Sequence, residues 1–327
     1  MAEKQLWLPD KVKGCGTALI TPFNTKRAYD DESFRDLVVA QITKGVGFLV
    51  VNGTTGESPT TNFKDEVMGG TLPSSKDASG GMVPIVLGVG YNDTAEVVRK
   101  VELVGQLPEE QRPEGLLVVA PYYNKPNQAG LFEHYKIVCG AATRAGLPVI
   151  GYNVPGRTGV NLETETVARL AQEVEGFAGL KEAGDQQQIA RVLESGVPDE
   201  FKIFTGEDGA QAQARELGAV GVISVVSHLI PQETTALWQL DNDWRKRELE
   251  ATYTNSYRDL IKTLFNGHFG GSPAVVKYAL AKMGIIASDT VRPPLVSVGR
   301  SAEYDQADYE GEVLDTLTNV QLIPIPT

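Results

Sequence analysis

Eight short apolar runs, most beginning roughly 30 residues after the one before, constrain this chain more than any other feature. They are GTALITPF (16–23), GFLVVNGT (47–54), VPIVLGVG (83–90), GLLVVAPYY (115–123), LPVIGYNVP (147–155), FAGLKEAG (177–184), FKIFTGED (201–208) and GVISVVSH (221–228). A strand covered on both faces reads as a continuous hydrophobic run rather than an alternating one, so these runs predict buried parallel strands. Helical patterns lie between them, for example LFEHYKIVCGAATRAG (131–146) and NLETETVARLAQEVEG (161–176). The second is expected to start at Asn161, with Glu163 and Glu165 in its first turn, where carboxylates favour a helix N-terminus.

Strands alternating with helices build either an open doubly wound sheet or a closed barrel. The number of runs favours a (β/α)8 TIM barrel, and no GxGxxG follows the first of them. The chain's 327 residues suit such a barrel with an appendage. We therefore expect a catalytic barrel over 1–230 and a C-terminal helical region and tail over 231–327. Helical patterns there cover 231–265, 273–284 and 302–317, and QLIPIPT (321–327) reads as an extended tail. KDEVMGGTLPSSKDASGG (64–81) breaks the pattern with two Gly pairs and a Pro. Because Pro costs about 3 kcal/mol in a helix interior, a short or broken helix followed by a loop is expected there.

A net charge of −12 argues against a nucleic-acid surface, which needs a basic footprint. Cys15 and Cys139 have no CxxC spacing, and His134, His228 and His268 are scattered, so neither a disulfide framework nor a metal site is expected. The N-terminus lacks the pattern of a signal peptide, and no run approaches the ~18 apolar residues of a membrane span. The expectation is a reduced, cytoplasmic protein.

Barrel enzymes build their active sites at the C-terminal ends of the strands. There this chain places GTTGES (53–58), PYYNKP (121–126), YNVPGRTG (152–159) and LKEAGD (180–185). Lys181 ends an apolar strand, where an ammonium is costly unless paired or deprotonated. A desolvated, neutral lysine can form a Schiff base with a ketone; the plain alternative is a lysine that snorkels to water. Glu182 should point the other way, as a structural partner outside the barrel. Thr54 and Thr55 lie among glycines that expose backbone N–H groups, suiting a small carboxylate, or they form a capped loop. Tyr152 could relay protons and Arg157 could clamp a second carboxylate; a packed phenol and a surface guanidinium are the alternatives. For Tyr122 and Tyr123 packing at an interface is the default.

In that order, GTTGES, PYYNKP, YNVPGRTG, GLKEAGD and GVISV resemble the pyruvate-dependent class I aldolase family that includes N-acetylneuraminate lyase and dihydrodipicolinate synthase. The resemblance runs from about residue 14 to 295. It implies a (β/α)8 barrel with a helical C-terminal region, often a homotetramer built as a dimer of dimers, and no metal or organic cofactor. Lys181 then matches the Schiff-base lysine and Tyr152 the proton relay. Thr54 would link Tyr152 to Tyr123, which the family brings from a neighbouring subunit. Thr55 would hold the pyruvate carboxylate. Gly206 and Ile223 match backbone positions lining the pocket. Arg157 matches the residue that binds the carboxylate of aspartate semialdehyde, so PGRTG with GTTGES points to the synthase branch, with pyruvate and aspartate semialdehyde as substrates.

Asn92, Glu96 and Tyr122 resemble effector positions of lysine-inhibited members, whereas Pro59, Phe63 and Glu66 stand where such members often carry other residues, including histidines. Lysine inhibition therefore stays open. The broken stretch at 64–81 and the added EEQRPEG (109–115) depart from the pattern away from these motifs. A 2-keto-3-deoxy sugar acid aldolase sharing Lys181 and Tyr152, and a non-catalytic keto-acid-binding member, are the rival readings.

Overall fold

The computed structural model describes residues 5–239, 243–267, 271–300 and 308–322. Eight strands form, each shorter than its apolar run: β1 (Gly14–Ala18), β2 (Phe48–Val51), β3 (Ile85–Gly88), β4 (Gly115–Val119), β5 (Val149–Asn153), β6 (Phe177–Glu182), β7 (Lys202–Thr205) and β8 (Gly221–Ser224). They are ordered by sequence in a closed barrel. The pairing is parallel from β1 to β2 and from β3 through β8. Strands such as FLVV, IVLG and VIGYN are buried at every position, as a parallel sheet covered on both faces requires.

The chain divides into two compact units, Met1–Gly14 with Pro84–Ile223, and Cys15–Val83 with Ser224–Thr327. In the first, Phe177 of β6 packs edge-on against Tyr135 at 5.4 Å and stacks on Phe201 at 5.8 Å. The Tyr135 hydroxyl donates to the Val118 carbonyl of β4 at 3.0 Å, satisfying the one polar atom of that ring. The helix expected to open at Asn161 starts instead at Thr164. Asn161 is engaged elsewhere, its Oδ1 accepting from Asn153 Nδ2 at 2.8 Å. In EEQRPEG, a short turn Glu109–Gln111 is followed by Arg112, which donates to the carbonyls of Gly105, Leu107 and Ala145. That guanidinium satisfies backbone acceptors at the ends of two helices, Thr94–Gly105 and Gln128–Arg144.

In the second unit, the helix Asp31–Thr43 is capped by Asp30, whose side chain accepts from Ser33 N–H at 3.2 Å. The expected break at 64–81 does not occur. A π-helix, Phe63–Thr71, runs directly into an α-helix, Leu72–Ser79. Asn62 caps it at Asp65 N–H, 3.1 Å, and Val67 N–H reaches back five residues to the Asn62 carbonyl at 3.2 Å. Pro73 falls at the junction of the two helical parts, in the first turn of the α-helical one. A Cβ on Gly70 would come 2.9 Å from the Tyr29 ring, so this glycine serves close packing rather than a loop. Gly80, at φ 54°, ends the helix in the left-handed region.

The C-terminal pattern 231–265 resolves into Pro231–Gln239 and Asp243–Phe265, followed by Gly271–Lys282 and Tyr309–Asn319. His268, residues 302–307 and all but the first two residues of QLIPIPT lie outside the described residues. Cys15 and Cys139 are both buried, and neither is part of a disulfide. Among the described residues, no helix is long and apolar enough to cross a membrane and no His/Cys/Asp/Glu cluster could hold a metal ion.

Candidate active site

The register of β5 and β6 sets two pairs side by side, Tyr152 opposite Lys181 and Asn153 opposite Glu182. Successive side chains of a strand point to opposite faces, so the two pairs face opposite ways. Glu182 identifies the helix-covered face: its Oε2 accepts from Asn153 Nδ2 at 2.9 Å and from Gln188 Nε2 at 3.0 Å, on the helix Gln187–Glu194. Its Oε1 accepts from Gly184 N–H at 2.6 Å. Burial pushes the Glu182 carboxyl up to about 7, against the pull of these donors.

Lys181 therefore faces the barrel interior. It is only 6% exposed, so little of the residue meets water. Its Nζ lies 4.2 Å from the centroid of the Tyr152 ring, and Tyr152 is itself buried. Gly206, just past β7, leaves room for this side chain: a Cβ there would meet Lys181 Cε at 2.7 Å. Ile223 is fully buried in β8. The structure thus brings Lys181, Tyr152 and Gly206 together. Glu207 is an acid at this end that the sequence does not single out. Although exposed, its carboxyl is raised by the surrounding protein and by Asp208, with Lys181 pulling it down.

Arg157 stands exposed on the single helical turn Pro155–Thr158 that follows β5. Thr158 fastens that turn by donating to Val154 and Val160 carbonyls, and Gly159 closes it at φ 70°. Tyr123 is not packed with the lysine in this way: it is 88% exposed and held at φ 72°. Tyr122 meets Tyr91 edge-on at 6.0 Å, beside Asn92 in sequence, and Glu96 pairs with Arg99 at 2.7 Å.

In the other unit, GTTGES forms a tight turn after β2. Gly56 N–H donates to Gly53 O and Glu57 N–H to Thr54 O, each at 3.1 Å, while Thr21 Oγ1 donates to Gly56 O at 2.7 Å. Thr55 is buried and Thr54 half-buried. Glu57 and Lys277 form a fully buried ion pair that the sequence reading misses. Burial pushes the Lys277 ammonium down to about 8 even against this carboxylate. The available signal is a lone lysine within the apolar helix GSPAVVKYALAK. Glu66, a position weighed for lysine inhibition, is gripped by both terminal nitrogens of Arg292 at 2.7 and 2.5 Å.

A closed eight-stranded barrel with a buried lysine facing inward from its sixth strand is a (β/α)8 barrel, and the family it matches makes the chain a lyase of the class I aldolase type. The model of the dihydrodipicolinate synthetase family matches residues 11–308, and the chain belongs to that family. It is 39% identical over 284 residues to a 4-hydroxy-tetrahydrodipicolinate synthase of Cytophaga hutchinsonii, covering 86% of this chain and 90% of that one. Among solved structures, a monomeric dihydrodipicolinate synthase variant is 34% identical with a TM-score of 0.84, covering 96% of this chain and 98% of that one. The lysine-bound dihydrodipicolinate synthase of Cyanidioschyzon merolae is 29% identical with a TM-score of 0.85, covering 96% of this chain and all of that one (100%).

Proposed function

We propose that this chain condenses pyruvate with L-aspartate 4-semialdehyde to give 4-hydroxy-tetrahydrodipicolinate, the first committed step towards diaminopimelate and lysine. One observation carries the reading: a lysine 6% exposed inside a barrel of this family, over the Tyr152 ring and cleared by Gly206. The Lys181 amine, having given up its proton, attacks the keto carbon of pyruvate, and the adduct loses water to give a protonated imine, with Tyr152 moving the protons. That imine draws electrons, so a methyl proton leaves and an enamine forms. The enamine carbon bonds to the aldehyde carbon, whose oxygen takes up a proton. The substrate's own amine then adds to the imine carbon, closes the ring and frees Lys181; one water is released overall. The imine is the electron sink, and the sequence needs no metal or organic cofactor.

In this reading Thr55 holds the pyruvate carboxylate, and Thr54 links Tyr152 to Tyr123 of a neighbouring subunit. Arg157 binds the carboxylate of the aldehyde substrate, while Gly206 and Ile223 line the pocket. Residues 1–230 are the catalytic barrel and 231–327 a helical region that serves it, in a cytoplasmic homotetramer. The outward Tyr123, 88% exposed, supports subunit packing at its turn. Asn92, Glu96 and Tyr122 form the candidate effector site for lysine, and titration calorimetry with lysine tests it.

The decisive assay is loss of pyruvate in the presence of aspartate semialdehyde. Loss that needs both the aldehyde and Lys181, with borohydride trapping pyruvate on Lys181, is the expected result. Turnover that survives Lys181→Ala would remove the mechanism.

A further inference from the structure

Lys277 lies in the middle of a helix that is buried from Ser272 to Leu280, and it has no exposed surface. Its Nζ donates to Glu57 Oε1 and to the Thr290 carbonyl, the latter at 3.0 Å. The other Glu57 oxygen accepts from Arg292 N–H at 2.9 Å. The Arg292 guanidinium continues the network to Glu66 and to the carbonyls of Arg27 and Thr60. Lys277 Nζ and Arg292 Cζ each lie 4.0 Å from the centroid of the Phe23 ring. Two cations and two carboxylates are thus linked, the Glu57–Lys277 pair fully buried and the Glu66–Arg292 pair partly exposed.

A buried ion pair is weak evidence for stability, because apolar residues of similar volume often serve at least as well. What such a pair does supply is a fixed geometry, and here one partner is part of the GTTGES turn. Glu57 is held at φ 57°, a conformation a non-glycine residue keeps only when its surroundings impose it. Its own N–H closes the turn onto the Thr54 carbonyl at 3.1 Å. The backbone of Glu57 therefore shapes the Thr54–Thr55 turn while its side chain is gripped by Lys277 of the helix Gly271–Lys282 and by the backbone of Arg292.

We propose that Glu57 and Lys277 are positioning residues of the reaction. Through them the C-terminal helical region sets the Thr54–Thr55 turn and with it the subsite for the pyruvate carboxylate. The proposal rests on the reading that Thr55 binds this carboxylate. Neither residue touches substrate; both act through the turn.

The test uses the full chain and compares Thr55→Val, Glu57→Gln, Lys277→Met and the double variant Glu57→Gln/Lys277→Met. Measured are the KM for each substrate, kcat, thermal midpoint and borohydride trapping at saturating pyruvate. Glu57→Gln is expected to raise the KM for pyruvate about tenfold, as loss of one well-placed contact does, with kcat changed less than about threefold. The KM for the aldehyde should stay within about twofold, and trapping at saturation should persist. Glu57→Gln strands a buried ammonium and Lys277→Met a buried carboxylate, so each should lower the thermal midpoint, whereas the double variant removes both charges and should regain its thermal midpoint while keeping the high KM for pyruvate. A double variant whose KM returns to the parent value along with its stability would make the pair merely structural and overturn the proposal. A Thr55→Val enzyme with an unchanged KM for pyruvate would instead overturn the underlying reading of the subsite.

Discussion

Gly206 and Lys181 leave no space between them for one more carbon: a Cβ on Gly206 would stand 2.7 Å from Lys181 Cε, and 2.8 Å from Ala183 Cβ. Gly206 has an ordinary backbone conformation, so Gly206→Ala should fold, at an overpacking cost of about 1–3 kcal/mol. The lysine stem must then shift. Since a displacement of about 1 Å can cost 10²-fold in rate, we expect kcat to drop roughly 10- to 100-fold with borohydride trapping slowed in step. A variant with parent-like kcat would show that the lysine has slack the packing does not suggest.

Arg157 is exposed on its one-turn helix, so replacing it should leave the fold intact. If it clamps the aldehyde's carboxylate, Arg157→Ala should raise the KM for aspartate semialdehyde by about 10- to 100-fold, the worth of a charge-assisted contact. The KM for pyruvate should hardly move. Equal changes in both constants would assign Arg157 to the entrance as a whole.

Glu182 makes stability depend on pH in an unusual direction. Its carboxyl titrates near 7 in the folded protein, against an ordinary 4.5. Between those values the folded state holds a proton the unfolded state has lost, so this group's contribution falls as pH rises through the window, by up to about 3 kcal/mol. Glu182→Gln should abolish that slope, whatever it does to stability at any single pH. Urea unfolding of parent and variant at pH 5 and pH 8 measures it. Parallel curves would mean that Glu182 is ionised in the fold throughout.

His228 acts with the opposite sign. Its Nε2 accepts from Ile20 N–H at 3.1 Å and its Nδ1–H donates to Val225 O at 2.8 Å, so the fold uses the neutral ring. Burial pushes it down from 6.5 to about 4. Its stabilising contribution is complete above pH 6.5 and is lost as pH falls through 4, up to about 3 kcal/mol. His134, likewise pushed down to about 4 by burial, adds a similar loss. His228→Gln should therefore flatten about half of the acid limb of a stability–pH curve. An unchanged limb would place the acid sensitivity elsewhere.

The barrel is legible in the sequence because each strand is a local fact, an apolar run that ends in Gly, Pro or a polar residue. Lys181 is legible for the same reason, as a charge at the end of such a run. Lys277 is a similar local anomaly, yet its partner Glu57 lies 220 residues away, and no spacing along the chain announces that pairing. The stretch 63–79 misleads in the other direction. Gly69, Gly70 and Pro73 signal a break by local propensity, but packing against Tyr29 and placement of Pro73 at the junction of the two helical parts override it. Asn161 looks like a helix cap and instead binds Asn153, a choice that only the folded β5 makes available.

The alternation along β6 has a bearing on how this strand can change over time. Its last two residues, Lys181 and Glu182, are adjacent in sequence yet serve opposite sides of the barrel wall. The strand behaves like a message with a reading frame of two. Substitutions alter one word, but inserting or deleting a single residue between Gly179 and Lys181, beyond the register shift at Ala178, would turn Lys181 outward and Glu182 inward. The amine would then be delivered to the helical shell and a carboxylate to the reaction chamber. Changes of length in this family member are therefore expected in places such as the wide helix at 63–71, which can take up an extra residue within a turn, rather than between Gly179 and Lys181 of β6.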